Sequence, residues 1–297
     1  MLRCVARFSD ASEFLSVANP FLSDREAAHN LILGLSGRLA QHPRRHGSDP
    51  YFALVEQGKR IVAAAMRTPP HNLLLSVIDD LQPIEALAAD VHQVFETLPG
   101  VLGPVAAAAH YIGAWHALTG SHAHKTRAER IYQAASAIPP SGVPGLMRRY
   151  AESDRELVET WFTAFLNEAL PGQRAESATQ MLDRRLNYPQ GGIAIWDDQT
   201  PVSVVGFGDP TPNGIRVGPL YTPPALRRRG AASALVAAAT SSLLRTRRFC
   251  FLYTDLANPT SNSIYQRIGY QPVLDVDQWA FALVPTTDVS ADALISR

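Results

Sequence analysis

Residues 215–246, IRVGPLYTPPALRRRGAASALVAAATSSLLRT, constrain this chain more than any other stretch. A strand ending in Val217, Leu220 and Thr222 runs through Pro223 and Pro224 into an arginine and glycine turn, which leads into an alanine-rich helix expected over 229–244. Strand, glycine turn and helix in that order build an anion site. The first amides of a helix have no acceptor within it, the helix dipole is positive there, and glycine lets a phosphate approach the backbone. The stretch therefore asks for a ligand that carries phosphate.

The rest of the chain can supply a scaffold for such a site. Its 297 residues, 46% hydrophobic and 18% charged, suffice for two domains with buried cores. The 27 acidic and 27 basic residues cancel, which speaks against nucleic acid or an anionic membrane as the main partner. Cys4 and Cys250 stand far apart with no CxxC spacing, and no apolar run reaches signal-peptide or membrane-span length. These features predict a soluble cytoplasmic protein. His110, His116, His122 and His124 fall into no HExxH or Cys/His ligand set, so no metal is expected.

In the first half, a strand is expected over 2–8, with Ser9 or Asp10 capping the helix that follows. A second helix is read over 23–41 from Leu31, Leu35 and Leu39. Within it GLSGR (34–38) lacks a preceding strand and reads as helix packing. YFALVEQ, RIVAAAMRT and NLLLSVI form an antiparallel trio around Gly58 and the Pro69-Pro70 break. A helix over 84–98 starts from DDLQP, which is acidic, lacks glycine and would repel a phosphate. After LPGVLGP come a helix over 104–118 and a strand over 127–137, and 141–147 is read as the linker.

The second half opens with the strand LMRRYAE and a helix capped by Ser153 and Glu156, with Leu157, Val158, Trp161, Phe162, Phe165, Leu166, Ala169 and Leu170 at helical period. Ser177 and Gln180 cap a shorter helix with Met181, Leu182, Arg185 and Leu186. GGIAIW, VSVVGF and IRVGPLYT make a second antiparallel meander. Both halves thus share an order of strands and helices, which reads as a tandem duplication; only the second copy has the anion turn.

Arg227, Arg228, Arg229, Gly230, Ala231 and Ala232 fit R/Q-x-x-G-x-G/A between a strand and a helix. Downstream, RFCFLYTDLANPTSNSIYQRIGYQPV (248–273) gives a strand ending at Asp255, a turn opened by Asn258, and a short helix over 259–268 with Asn262, Ser263 and Tyr265 before Gly269 and Tyr270. In these two motifs the chain resembles the GNAT superfamily of acyl-CoA-dependent N-acetyltransferases, closely over 148–284 and only in topology over 1–140. The resemblance implies an α+β fold of two GNAT-like domains, 1–140 (degenerate) and 148–297 (acetyl-CoA-binding), each a mixed, mostly antiparallel sheet flanked by helices.

It also implies site roles. Backbone amides around Arg228, Arg229, Gly230, Ala231, Ala232 and Ser233 would hold the CoA pyrophosphate, with Arg227, Arg228 and Arg229 adding side-chain contacts. The strand edge of Val217, Gly218, Pro219, Leu220, Tyr221 and Thr222 would take the pantetheine arm, Gly218 and Pro219 marking a local break. Asn258 and Asn262 would add polar contacts, and Tyr265 would protonate the departing thiolate. Glu168 and Asp255 are candidates for a base, with no choice between them. The expected activity is transfer of an acetyl group from acetyl-CoA to a small-molecule or peptide amine. Transfer of a longer acyl group, an acyl-CoA-binding sensor or interaction module without turnover, and a pure scaffold are the alternatives.

Overall fold

The computed structural model describes residues 3–42, 49–169, 176–188 and 190–282. The first half runs β1 (Arg3–Phe8), α1 (Ala11–Asp24), α2 (Asn30–Gln41), β2 (Tyr51–Gln57), β3 (Arg60–Arg67), β4 (Leu73–Leu75), α3 (Pro83–Val94), β5 (Gly100–Pro104), α4 (Val105–Thr119) and β6 (Ala123–Ala134). The second runs β7 (Leu146–Arg149), α5 (Arg155–Ala169), α6 (Ala178–Leu186), β8 (Gly192–Asp198), β9 (Thr200–Gly208), β10 (Gly214–Tyr221), α7 (Ala231–Leu243), β11 (Phe249–Asp255), α8 (Pro259–Arg267) and β12 (Gln271–Phe281). The two halves repeat one order of strands and helices, element for element.

The chain forms two compact units that interleave along the sequence: 1–9, 46–127 and 277–297 in the first, 10–45 and 128–276 in the second. Helices α1 and α2 therefore count with the second unit, as does the 128–134 part of β6, while the end of β12 counts with the first.

In the first unit β1, β2, β3 and β4 pair antiparallel in turn, and β4 pairs parallel with β5. Helices α3 and α4 cover one face. Ile84, Leu87 and Val91 of α3 and Tyr111 and Trp115 of α4 pack on Tyr51, Ala53, Val55, Ala63, Leu73 and Val101. The strand period of two sets that face, and the helical period supplies the matching stripes. At the start of α3, Asp80 Oδ1 accepts from Gln82 N at 3.1 Å, so a carboxylate already occupies that turn.

In the second unit β7, β8, β9 and β10 pair antiparallel, β10 pairs parallel with β11, and β11 pairs antiparallel with residues 129–134 of β6. Helix α7 packs on one face through Ala231, Ala234, Leu235 and Ala237 against Ile215, Val217, Cys250, Leu252 and Tyr132. On the other face, Val158, Trp161 and Phe162 of α5 and Met181 and Leu182 of α6 meet Ile193, Ile195, Val204 and Tyr221. Helices α1 and α2 are tied to this unit through polar groups. Glu26, between them, is 8% exposed and accepts from Thr211 Oγ1 at 2.5 Å, Asn213 N at 2.6 Å, Asn213 Nδ2 at 2.7 Å and Gly214 N at 3.1 Å. Asn30 bonds Tyr253 of β11.

Several boundaries differ from the sequence reading. The helix expected over 23–41 begins at Asn30, because Glu26 and His29 turn inward, His29 Nδ1 lying 2.9 Å from Leu22 O. Helix α3 stops at Val94, since Phe95 is extended (φ −129, ψ 116), and β5 forms where only a break was expected. Strand β6 covers Ala123–Ala134 in place of 127–137. Ser153 does not cap α5; it lies in a 3-10 turn, and Asp154 accepts from Ala151 N at 2.8 Å. Helix α7 starts at Ala231 because Arg228 and Gly230 take positive φ, 65 and 84. The capping box of Ser177 and Gln180 forms reciprocally, at 2.9 and 3.1 Å. Leu2 and Leu170 lie outside the described residues. No helix among the described residues is long and apolar enough to cross a membrane, and none of them form a metal-holding cluster.

Candidate functional site

Strand β10 changes partners along its length. Its parallel ladder with β11 covers Gly214, Ile215 and Arg216 only. Its antiparallel ladder with β9 slips between Val217 and Leu220, leaving Gly218 and Pro219 unpaired at a bulge. Gly218 has φ 135, and a side chain there would meet nothing within 4 Å, so open space lies at the break. Past Arg216 the β11-facing edge of β10 is thus free of a sheet neighbour among the described residues. An extended ligand arm with amide groups fits such an edge.

The chain leaves β10 through Thr222, whose Oγ1 lies 2.8 Å from Ser203 Oγ, and reaches α7 by a 3-10 turn over Pro224–Leu226. Gly230 sits at the N-cap in left-handed conformation, and no side chain caps the helix. Ala234 N donates to Gly230 O at 3.0 Å, so the amides of Ala231, Ala232 and Ser233 precede the first intrahelical bond. Arg228 and Arg229 are exposed beside them. The thirteen-residue helix α7 therefore presents an uncapped positive end with two exposed cations at its rim, which suits a diphosphate.

Arg227 serves differently from its neighbours. Its Nη2 lies 2.6 Å from Glu168 Oε2 and its Nε donates to Thr222 O at 2.8 Å, so it ties the turn to α5 and to the end of β10. Tyr221 donates to the other oxygen of Glu168 at 2.9 Å. The Arg227 guanidinium holds the Glu168 carboxyl below the usual carboxylate range.

Beyond β11, Asp255 Oδ1 accepts from Ala257 N at 2.7 Å, and Asn258 caps α8 by accepting from Ser261 N at 3.0 Å. Asn262 donates to Asp255 O at 2.9 Å and Asn258 O at 2.8 Å, and accepts from Tyr132 Oη at 3.1 Å. Its amide is spent on fixing α8 to β6 and β11. Tyr265 packs tilted against Tyr132 and edge-on to Tyr270, with ring centroids 6.4 and 6.0 Å away. Its hydroxyl has no hydrogen-bond partner among the described residues, and burial pushes it up to about 12, so it stays protonated near neutrality.

Two residues with no assigned role in the sequence reading stand out on the face opposite α7. Arg185 of α6 is 5% exposed and donates from Nε and Nη2 to Gly218 O, at 3.1 and 2.7 Å, while its Nη1 has no partner among the described residues. Gly206 of β9 makes room for it: a Cβ there would lie 2.5 Å from Arg185 Nε. Arg216 of β10 lies over the Tyr253 ring, 5.0 Å from Cζ to centroid. An arginine on the apolar stripe with Met181 and Leu182 was the visible signal for the first; Arg216 gave none.

Residues 211–280 match the family model described as FR47-like protein. A Drosophila protein structure superposes with TM-score 0.65 at 17% identity, covering 95% of this chain and 98% of that one. A tandem GNAT protein from the clavulanic acid biosynthesis pathway covers the same shares, with TM-score 0.54 at 12% identity. The chain has the tandem GNAT fold. A GCN5-related N-acetyltransferase from Sphaerobacter thermophilus agrees, with TM-score 0.57 at 14% identity over 93% of this chain and 95% of that one. No curated protein matches. Within this GNAT-fold chain the stretch covered by the family model runs from before β10 through nearly all of β12, so it contains the β10 break, the uncapped end of α7 and Tyr265.

Proposed function

We propose that this protein transfers an acetyl group from acetyl-CoA directly to an amine, with the chemistry in the C-terminal copy, 148–297, and a first copy, 1–140, that has lost the cofactor turn. The single observation behind this reading is the conjunction of a β10 edge freed at Gly218 with the uncapped start of α7 after Gly230. The first suits the pantetheine arm through Val217, Gly218, Pro219, Leu220, Tyr221 and Thr222. The second suits the pyrophosphate, through the amides of Ala231, Ala232 and Ser233 and the exposed Arg228 and Arg229. Acetyl-CoA then brings the thioester to the break in β10.

In the reaction the amine nitrogen forms the new C–N bond, the C–S bond breaks, the amine loses a proton and the sulfur gains one. Tyr265 is the proton donor at sulfur: its hydroxyl is protonated and spends no hydrogen bond elsewhere in the described fold. Asn258 and Asn262 act through the geometry of α8, because their side chains are engaged within it. Arg227 acts by bracing the turn.

One observation favours a second reading, an acyl-CoA-binding module without turnover. Both carboxylates considered as bases already have structural partners, Glu168 in Arg227 and Tyr221, Asp255 in the Ala257 amide. Calorimetry with acetyl-CoA together with thiol release across a panel of amines decides the matter. Binding with amine-dependent thiol release is the expected result; binding with no release on any amine selects the module, and no binding sinks both.

A further inference from the structure

Four arginines gather on the face of the second unit opposite α7. Asp209 meets Arg184 at 3.1 Å and Arg38 at 3.2 Å, and Glu176 meets Arg184 at 2.8 Å. Arg185 and Arg216 lie near Asp209 but, among the described residues, make no direct ion pair with a carboxylate. The strand alternation explains why they share a face: Ile215, Val217, Cys250 and Leu252 point into the α7 core, so Arg216 and Tyr253 point the other way, toward the side on which α6 packs. Arg185 reaches the same region from α6 and ends on the carbonyl of Gly218, at the break itself.

An unpaired buried guanidinium is costly to keep. Burial first, then the Arg184 and Arg216 cations, pull Arg185 down to about 9, with Asp209 and Glu176 offsetting only part. Holding the Gly218 carbonyl would need two N–H donors but no net charge. Its free Nη1 and the neighbouring Arg216, resting on the Tyr253 ring, leave two cations beside the break in β10 with an unmet demand for anionic oxygen.

On the reading that the protein acetylates an amine at the β10 break, we propose that Arg185 and Arg216 bind an oxyanion group of that amine, a carboxylate or a phosphate. The acceptor is thus an amino acid or an aminoalkyl phosphate in class, with its anion held on the α6 side and its nitrogen directed to the thioester. Polyamines and simple alkylamines, which lack that anion, should be poorer acceptors.

The test uses the full chain at saturating acetyl-CoA with matched acceptors: amino carboxylic acids against their primary amides, and aminoalkyl phosphates against the parent amino alcohols. The acid or the phosphate of a pair should be favoured in kcat/KM by about 10- to 100-fold, the range of one charge-assisted contact. Which pair shows it tells carboxylate from phosphate. Arg216→Gln should erase the preference by raising KM for the charged acceptor, with KM for acetyl-CoA unchanged, and Arg216→Lys should restore part of it. Arg185→Gln should also erase the preference, with a rise in KM for acetyl-CoA because it releases the Gly218 carbonyl at the break; if that variant fails to fold, Arg216→Gln decides alone. Equal or better turnover of the neutral partners, or an Arg216→Gln enzyme with wild-type preference, overturns the assignment while leaving acetyl transfer intact. Failure of the wild-type chain to bind acetyl-CoA in calorimetry overturns the acetyltransferase reading and this one with it.

Discussion

Glu168 holds Arg227 at 2.6 Å through one carboxylate oxygen and Tyr221 at 2.9 Å through the other. A single side chain of α5 thus fixes both the end of β10 and the first arginine of the turn. A carboxylate occupied in this way is a poor proton acceptor.

Glu168→Gln is therefore expected to loosen the turn without removing a catalytic base. Because both partners of the ion pair are nearly half exposed, the loss of stability should stay within about 1 kcal/mol. Affinity for acetyl-CoA should fall several-fold, with kcat changed less than about threefold; a fall in kcat of about 100-fold would instead mark Glu168 as the base. Steady-state kinetics against calorimetry separates the two.

At its φ of 84 Gly230 is strained by any side chain, and a Cβ there would lie 2.8 Å from Val143 Cγ2. Gly230→Ala should cost about 1–2 kcal/mol from the left-handed backbone alone. Gly230→Asp adds negative charge at the uncapped end of α7 and should abolish acetyl-CoA binding. Retained binding by the aspartate variant, measured by calorimetry on folded protein, would remove the turn from the cofactor site.

Tyr265→Phe removes a hydroxyl without a partner, so the melting temperature should hold while kcat falls by about tenfold or more. The pH dependence has a definite sign. With the folded hydroxyl raised to about 12 from the ordinary 10.0, the unfolded chain ionises first, and Tyr265 lowers stability only as pH climbs above about 10. Below that pH it should add no basic limb to the rate profile. An unchanged kcat for a chemistry-limited amine would dismiss it as the acid.

Burial works against the charge of Asp209, but Arg184, Arg38 and Arg216 overcome it and leave the group at about 2, below its ordinary 3.8. A depressed carboxyl contributes stability above its unfolded value and loses it as pH falls through the folded one. Stability of the chain should thus drop between pH 4 and 2, and Asp209→Asn should cost about 2 kcal/mol at neutral pH and flatten that drop. Asparagine accepts the positive φ of 46 at this position, so the loss reports charge and not backbone strain. Urea denaturation across pH measures it.

A fragment of 148–297 should not fold alone. It lacks residues 129–134 of β6, which pair with β11 from Cys250 to Asp255, and it lacks Glu26 and Asn30. Co-expression of 1–147 with 148–297 should recover soluble protein; a stable, cooperatively unfolding 148–297 would show that the second copy is self-sufficient.

The order of elements was legible because the signals are local: the stripes of α3, α5 and α6 and the short apolar runs of β8, β9 and β10 between turn residues are written in consecutive residues. The turn was legible for the same reason, since Pro223, Pro224 and Gly230 announce their backbone. Membership of α1 and α2 in the second unit was not, because it rests on Glu26 reaching Thr211 and Asn213 across some 185 positions. Asn262 illustrates a subtler limit. Its type and place suit a ligand contact, yet its amide is consumed by Asp255, Asn258 and Tyr132, and such occupancy is visible only in three dimensions.

The divided strands also set a timetable for biosynthesis. Helices α1 and α2 leave the ribosome before the Thr211–Gly214 segment that receives Glu26, a wait of roughly 10–35 s at usual elongation rates. The first unit in turn stays open until the end of β12 arrives, where Phe281 N donates to Pro99 O. Neither half can mature while the other is still being made. Nascent chains should depend on chaperone shelter for apolar surface that a serially folding two-domain protein would already have hidden.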